Sequence, residues 1–521
     1  MRLLCAFFLF FGWMGWTTTV AQTDTLPPVE VVWSEAFRAD KSVVEATMVG
    51  ADNRYLYTLH DNPSRGSRFV LGTFDRKTLA VVSERELVAP EIQGHTVSFD
   101  RLLLHGGRLV MVVTAFSTED GTVRAYAVPV NETGQAVEMP ILLAETTARR
   151  QGQAPFGYSQ SRDKSLLLIY PGNPSERRLT ERYSYRVVDA FLETLWEKNL
   201  EMPNPNAVME QTEYRIDNRG QLFLLTGITQ PDKSAPPGSR ARIDREYTML
   251  VYNHQANRLK EFSIAVDGKW VMATSFDLDD SGNASVGGFY SNDTEFSAAG
   301  TFFFRIDGAS LKVVASGLKP FSRELLQGFN RYRRQENVEE LEDIYFDHFV
   351  VRPDGSALFV AEQHRVEQRW RTDITTGRQE ILYCYHYDDL LVVDVNADGS
   401  IGWTVRVPKE QVSINDRGPF SSYALLAAGD KVHIVFNDDP GNAALLTENP
   451  AARPEAMNAT KRSTAALVSL DADGKMTRQN LFRNADTDVI LRPKIWLDGG
   501  IGELFLFAQQ RKTYRFGLLK L

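Results

Sequence analysis

The stretch Pro408 to Tyr423, Pro-Lys-Glu-Gln-Val-Ser-Ile-Asn-Asp-Arg-Gly-Pro-Phe-Ser-Ser-Tyr, holds a dense set of groups that bind or react. Lys409 can donate to an anion or a sugar hydroxyl, and Asp416 can accept or act as a general base. Gln411 and Asn415 add amides that both donate and accept. In the structural alternative, Asn415-Asp416-Arg417-Gly418 is a turn and Asp416 takes backbone N–H groups, as Asx residues in loops commonly do. If the cluster binds, Lys409→Ala or Asp416→Ala should weaken partner capture and leave stability nearly unchanged. Ser421 and Ser422 lack the glycine pattern of a nucleophile elbow, which argues against a hydrolytic serine.

Carboxylates suggest a second chemistry. Glu362 with Asp388, Asp416 or Asp438 could form the pair that flanks a glycosidic bond, one acid and one base or nucleophile. Arg365, Arg369 and Arg371 offer the same carboxylates a purely structural partner. Gln363 and Asn437, at strand ends, are further ligand-binding candidates. His364 and His386 have no third histidine at metal-ligand spacing. Asp394-Val395-Asn396-Ala397-Asp398-Gly399 imitates the first half of a calcium loop, which makes Asp394, Asn396 and Asp398 the calcium candidates. No late carboxylate completes that cage, and Asp277 to Gly282 has the same defect. The expectation is therefore no metal and no cofactor.

These groups need elements to hold them. Alternating apolar strands joined by Asp-Gly type turns recur along the chain, clearest in Phe-Val-Val-Arg-Pro-Asp-Gly-Ser-Ala-Leu-Phe-Val from Phe349 to Val360. Each hairpin is followed by a polar loop and two more strands, in units spaced by roughly 45 to 75 residues. Units start near Ser42, Thr96, Phe156, Glu213, Thr274, Phe346 and Ser421, and an eighth, begun near Ile490, stops one strand short. Val29 to Phe37 is strand-like and belongs to no other unit, so it can complete the eighth and close the ring. The fold expected is all-β: a β-propeller of eight four-stranded blades, seven being the alternative, as a single domain over residues 22–521. Ser322 to Asp343 reads as a short helical insertion that could form a lid, and Asp438 to Ser463 as an irregular loop. Trp196, Trp270, Trp403 and Trp496 lie within strands and should fill space between blades, whereas a sugar-stacking platform is expected on loops.

Strand order sorts the loops by face. Connections between second and third strands share one face with connections between blades, while first hairpin turns lie on the other. Pro408 to Ser421, the insertion, the Glu362 region and the Asn437 region then fall on one face of units six and seven, where propeller ligands can gather over the channel.

Bulk properties narrow the partner. The chain has 521 residues, a formal charge of -9 and no basic run, which disfavours nucleic acid. Arg2, the apolar run Leu3 to Trp16 and Thr19-Val20-Ala21 read as a signal peptide over residues 1–21, too short for a membrane span, so the expected location is periplasmic or extracellular. Cys5 would leave with it, and Cys384 would have no intrachain partner.

Ala-Glu-Gln at 361–363, Pro-Lys-Glu-Gln at 408–411, Asn-Asp-Arg-Gly-Pro-Phe-Ser-Ser-Tyr at 415–423 and Phe-Asn-Asp at 436–438 resemble a group of exported bacterial β-propeller proteins that carry no assigned activity. The resemblance implies the fold and the exported location. Function is then expected to be a non-catalytic binding or scaffold propeller recognising a protein segment or a glycan on the face of units six and seven; the alternative is a glycan-cleaving enzyme using carboxylates of that face.

Overall fold

The computed structural model describes residues 29–521 except 39–44, 63–67, 93–96, 148–155, 173–182, 202–207, 230–244, 294–295, 331–337, 373–374, 376, 458–461 and 501. The expected signal peptide lies outside the described residues. Eight antiparallel sheets, called blades 1 to 8, occupy residues 46–86, 97–147, 156–200, 208–264, 270–320, 344–407, 424–483 and 490–520. In each blade the strands are hydrogen-bonded in sequence order, and the start points lie within a few residues of those expected.

The eighth blade is completed by the other end of the chain. Val31–Trp33 pairs antiparallel with Thr513–Lys520, and Phe37–Arg38 pairs with the same strand. An apolar layer sits between every pair of neighbouring blades, including one between blades 8 and 1 built from Met48, Leu56, Phe74, Phe505 and Phe516. The ring is closed, and the eight-bladed expectation holds. Strands sandwiched between two layers are buried along their whole length, as in Ala284–Ser291, where every residue is buried.

The first hairpin turns of blades 3 to 6 each use an Asp carboxylate to accept backbone N–H groups. In Arg352 to Ser356 the Asp354 carboxylate accepts the Ser356 N–H at 2.9 Å and its hydroxyl at 2.7 Å, and Gly355 takes the left-handed φ of 84° that the turn requires. The calcium candidates are used the same way. Asp398 accepts the Ser400 N–H and hydroxyl, Asn396 donates to the Ser400 hydroxyl, and Asp394 pairs with Arg352 at 2.8 Å.

Among its described residues the insertion contains one helix, Arg323–Asn330, whose first turn is capped by the Ser322 hydroxyl accepting the Leu325 N–H. Its Leu326 and Phe329 enter the layer between blades 5 and 6, which packs the helix in place and corrects the lid reading. The segment after blade 7's second strand is not wholly irregular: Asn442–Glu448 is a helix, consistent with the helix-forming run Ala443-Ala444-Leu445-Leu446.

Blade 6 departs from the others. Its second and third strands, Ala357–Thr372 and Gln379–Val395, are 16 and 17 residues long and run past the blade as a two-stranded arm. Gln411–Ile414 adds a short third strand along the base of that arm.

Candidate functional site

The first strand of each blade faces the central channel, and polar residues on these strands give the channel its chemistry. One cavity of about 890 Å³ is lined by the first strands of blades 3 to 6, including Tyr158, Glu213, Arg215, Ser275 and Asp347. A second, of about 400 Å³, shares Tyr345, Asp347 and His348 with it and continues along blades 6 to 8 through Glu362, His364, Tyr387, Tyr423, Lys494 and Trp496. Arg162, in the first turn of blade 3, reaches across to blades 5 and 6. Its guanidinium donates to the Leu278 carbonyl at 2.9 Å and the Val351 carbonyl at 2.8 Å, and lies 3.2 Å from Asp280. That side chain spans the hairpin-turn end of the channel, whereas the smaller cavity, lined by Tyr345 and Lys494 near the starts of their strands, lies toward the blade-to-blade connections.

Two carboxylates share one wall. Asp347 lines both cavities yet is hemmed in by protein, and this desolvation raises its carboxyl to about 7. The charge of Glu362 pushes the same way; the Tyr423 hydroxyl, which donates to Asp347 at 3.2 Å, opposes it together with Lys409 and Lys494. Glu362 is buried and ion-paired with Lys409 at 2.7 Å. Lys494 donates to the Tyr387 hydroxyl at 2.9 Å, with its ammonium 4.0 Å from the centre of that ring. Desolvation lowers the Lys494 ammonium against the pull of Glu362 and Asp347, and raises Tyr387 to about 12. Burial also lowers His348 and His364, which favours neutral imidazoles on the wall. His348 packs edge-on against Trp496 and Tyr423, each ring centre 5.5 Å away.

The raised Asp347 carboxyl has a stability consequence with a definite sign. The folded protein binds this proton more tightly than the unfolded chain, so the contribution is full below about pH 3.8 and is lost as pH rises through about 7. The stability of the wild type relative to Asp347→Asn should therefore fall between pH 5 and pH 8, as read from urea midpoints. An unchanged difference at the two pH values would show that Asp347 titrates normally.

Several expected site residues belong to the scaffold. The Lys409 ammonium is fully buried and donates to Glu362, to the Tyr387 carbonyl at 2.8 Å and to Gln411 Oε1 at 3.1 Å, so its three protons are consumed. Gln411 also accepts the Ser422 N–H and donates to the Asn437 carbonyl, while Asn437 donates to the carbonyls of Phe420 and Leu491. Gln363 is buried and donates to the Glu342 carbonyl. The exposed turn behaves as an Asx turn: Asn415, at φ 57°, accepts the Tyr383 N–H, and Asp416 accepts the Gly418 N–H.

Of Glu362 and its three candidate partners Asp388, Asp416 and Asp438, Glu362 alone lines the cavity. Asp388 alternates away from Tyr387 and pairs with Arg365 at 2.7 Å; burial still raises it to about 6. Asp438 is buried against Arg478 and Asn442, and Asp416 is held in its turn.

Sequence reasoning missed Asp347 and Lys494 for an identifiable reason. The pairing register of blade 6 shifts between Phe346 and His348, which leaves Asp347 as the extra residue of a bulge. In blade 8 the shift spans Leu491 to Trp496 and includes Lys494. Bulges re-aim side chains, so simple alternation assigns such residues to the wrong side. Trp496 does pack between blades, as expected, and also borders the cavity.

No family model matches the chain, and no curated protein does. Among solved structures, a member of the DUF4221 family from Bacteroides vulgatus aligns over 95% of this chain and 98% of that one, at 11% identity and a TM-score of 0.33. The WD40 domain of SCAP from fission yeast aligns over 96% and 97%, at 8% identity and a TM-score of 0.40. The β-propeller domain of the Trilobed protease from Pyrococcus furiosus covers 86% of this chain and 98% of its own, at 9% identity and a TM-score of 0.38. The chain is a β-propeller. Among the described residues, no helix is long and apolar enough to cross a membrane.

Proposed function

We propose that this propeller is an exported glycan-binding protein whose ligand enters the channel from the blade-to-blade face and rests against blades 6 to 8. The reading is carried by the convergence on one cavity wall of acceptors, Asp347 and Glu362, with the donor Lys494, beside the rings of Tyr345, Tyr387 and Trp496. A sugar presents hydroxyls that donate and accept together with apolar ring faces, and such a wall answers both demands. A charged polymer would be matched less well, because the cationic and anionic groups of this wall are mixed.

Lys494→Ala tests the reading. Lys494 sits on the channel surface, so its removal should leave the melting temperature close to wild type while weakening glycan binding by about tenfold or more, the loss of one charge-assisted hydrogen bond. Titration of oligosaccharides by calorimetry reads the effect, and equal affinities for the two proteins would count against this wall as the binding surface.

A glycan-cleaving role has one specific observation in its favour. Asp347, raised to about 7, stands beside the ion-paired Glu362, a division of environments suited to an acid and a base. Incubation of the wild type with polysaccharides and assay for new reducing ends decides it. Absence of such ends alongside retained binding leaves the non-catalytic reading.

A further inference from the structure

The arm of blade 6 separates its side chains by chemistry. Strand alternation and the pairing register place His364, Val366, Gln368 and Trp370 on the same face as Ile381, Tyr383, Tyr385 and Tyr387. No member of this face carries a carboxylate, ammonium or guanidinium group. The opposite face carries Arg365, Glu367, Arg369, Arg371, Glu380 and Asp388, which pair among themselves: Arg365 with Asp388, Arg369 with Glu367 at 2.8 Å, and Arg371 with Glu380 at 3.7 Å.

The uncharged face begins inside the site. His364 and Tyr387 both line the cavity, with ring centres 4.4 Å apart, and the ladder Tyr387, Tyr385, Tyr383 rises from there over about 13 Å of strand. Its outer members are open to solvent: Trp370 is 69% exposed and Val366 48%. An aromatic surface of this kind on a protein arm is otherwise an aggregation liability.

We infer that this face is an extended binding platform on which a neutral polysaccharide chain, seated by one end in the channel, stacks its successive sugar rings. The inference rests on the glycan reading above and gives it a substrate class, a chain rather than a free monosaccharide. Continuity with the cavity wall supplies the direction of the chain, and the absence of charge on the face favours a neutral one. Addition of a peptide strand is opposed by the charged side chains at alternate positions of the arm's outer strand, Arg365, Glu367, Arg369 and Arg371, a pattern that blunts strand edges.

The test uses the mature protein and the double substitution Trp370→Ala with Tyr383→Ala on a glycan array that displays matched disaccharide and long-chain members of each neutral polysaccharide series. Both residues are exposed, so the variant should melt like wild type. The expected result is a loss of about tenfold or more for long chains with disaccharide binding unchanged. If the wild type binds long chains and the variant binds them equally well, the platform is refuted and the cavity reading survives. If the wild type binds no glycan on the array, the functional reading itself fails and the platform with it. Sedimentation of both proteins covers the remaining occupant: a wild-type dimer that the variant converts to monomer would assign the face to a second copy and overturn the inference.

Discussion

Lys409→Ala is expected to destabilise the protein by roughly 3–5 kcal/mol, the usual consequence of removing one partner from a buried ion pair. Glu362 would remain in the wall without its ammonium, and the carbonyl of Tyr387 and the amide oxygen of Gln411 would lose a donor. The backbone N–H of Lys409 donates to Asp389, which is itself paired with Arg406 at 2.6 Å, so the connector is anchored at both its main chain and its side chain. Urea unfolding of Lys409→Ala measures the loss directly. A companion variant, Lys409→Met with Glu362→Gln, removes both charges and should recover part of the stability while still impairing binding. A single-variant loss below about 1 kcal/mol would show that this pair is solvated, contrary to its burial. This expected result is the opposite of the one drawn from the sequence, in which Lys409 contacts a ligand and its loss spares the fold.

Asp438→Ala should cost a similar roughly 3–5 kcal/mol. Asp438 and Arg478 are almost wholly buried, 1% and 4% exposed at their side chains, and form a direct ion pair. Arg478 also donates to the Pro408 carbonyl at 2.8 Å and lies 5.1 Å from the centre of the Phe436 ring. On the other side, Asp438 accepts from Asn442 at 2.7 Å, and Asn442 in turn holds Glu455 through both its N–H and its carbonyl. The pair thus ties blade 7 to the connector before it and to the helical segment after its second strand. Replacing both residues, Asp438→Leu with Arg478→Met, should cost less than Asp438→Ala alone, because neither substitution then leaves a buried charge without its partner. Chemical denaturation of the single and double variants checks this; a double variant less stable than Asp438→Ala would mean that packing around Phe436 dominates over charge.

Two residues of the candidate cavity wall were legible in the chain. Glu362 and His364 were singled out near the end of the second strand of unit six, and both line the cavity. The face rule also worked, since it depends on strand order alone. Roles were harder to read. Lys409, Gln411 and Asn437 have the residue types of a polar ligand site, and the same donors and acceptors serve equally well to satisfy one another when buried. Burial is a property of neighbouring blades: the Asn437 amide, for instance, reaches Leu491 in blade 8.

Sequence by itself determined the eight-bladed plan, because two-residue alternation, Asp-Gly turns and the spare strand at Val31 are local signals that survive in any context. The aromatic arm was not among them. Its length follows from Ala357–Thr372 pairing with Gln379–Val395 well beyond the blade, and a platform of rings arises there on strands, where loops had been expected. Tertiary structure alone decided which charges meet. A one-residue bulge turns Asp347 into the channel, a longer register shift does so for Lys494, and the polar cluster at Pro408 to Tyr423 becomes the buried support behind the wall they form. Register and burial are set by contacts between blades distant in sequence, and for that reason they left no local trace in the chain.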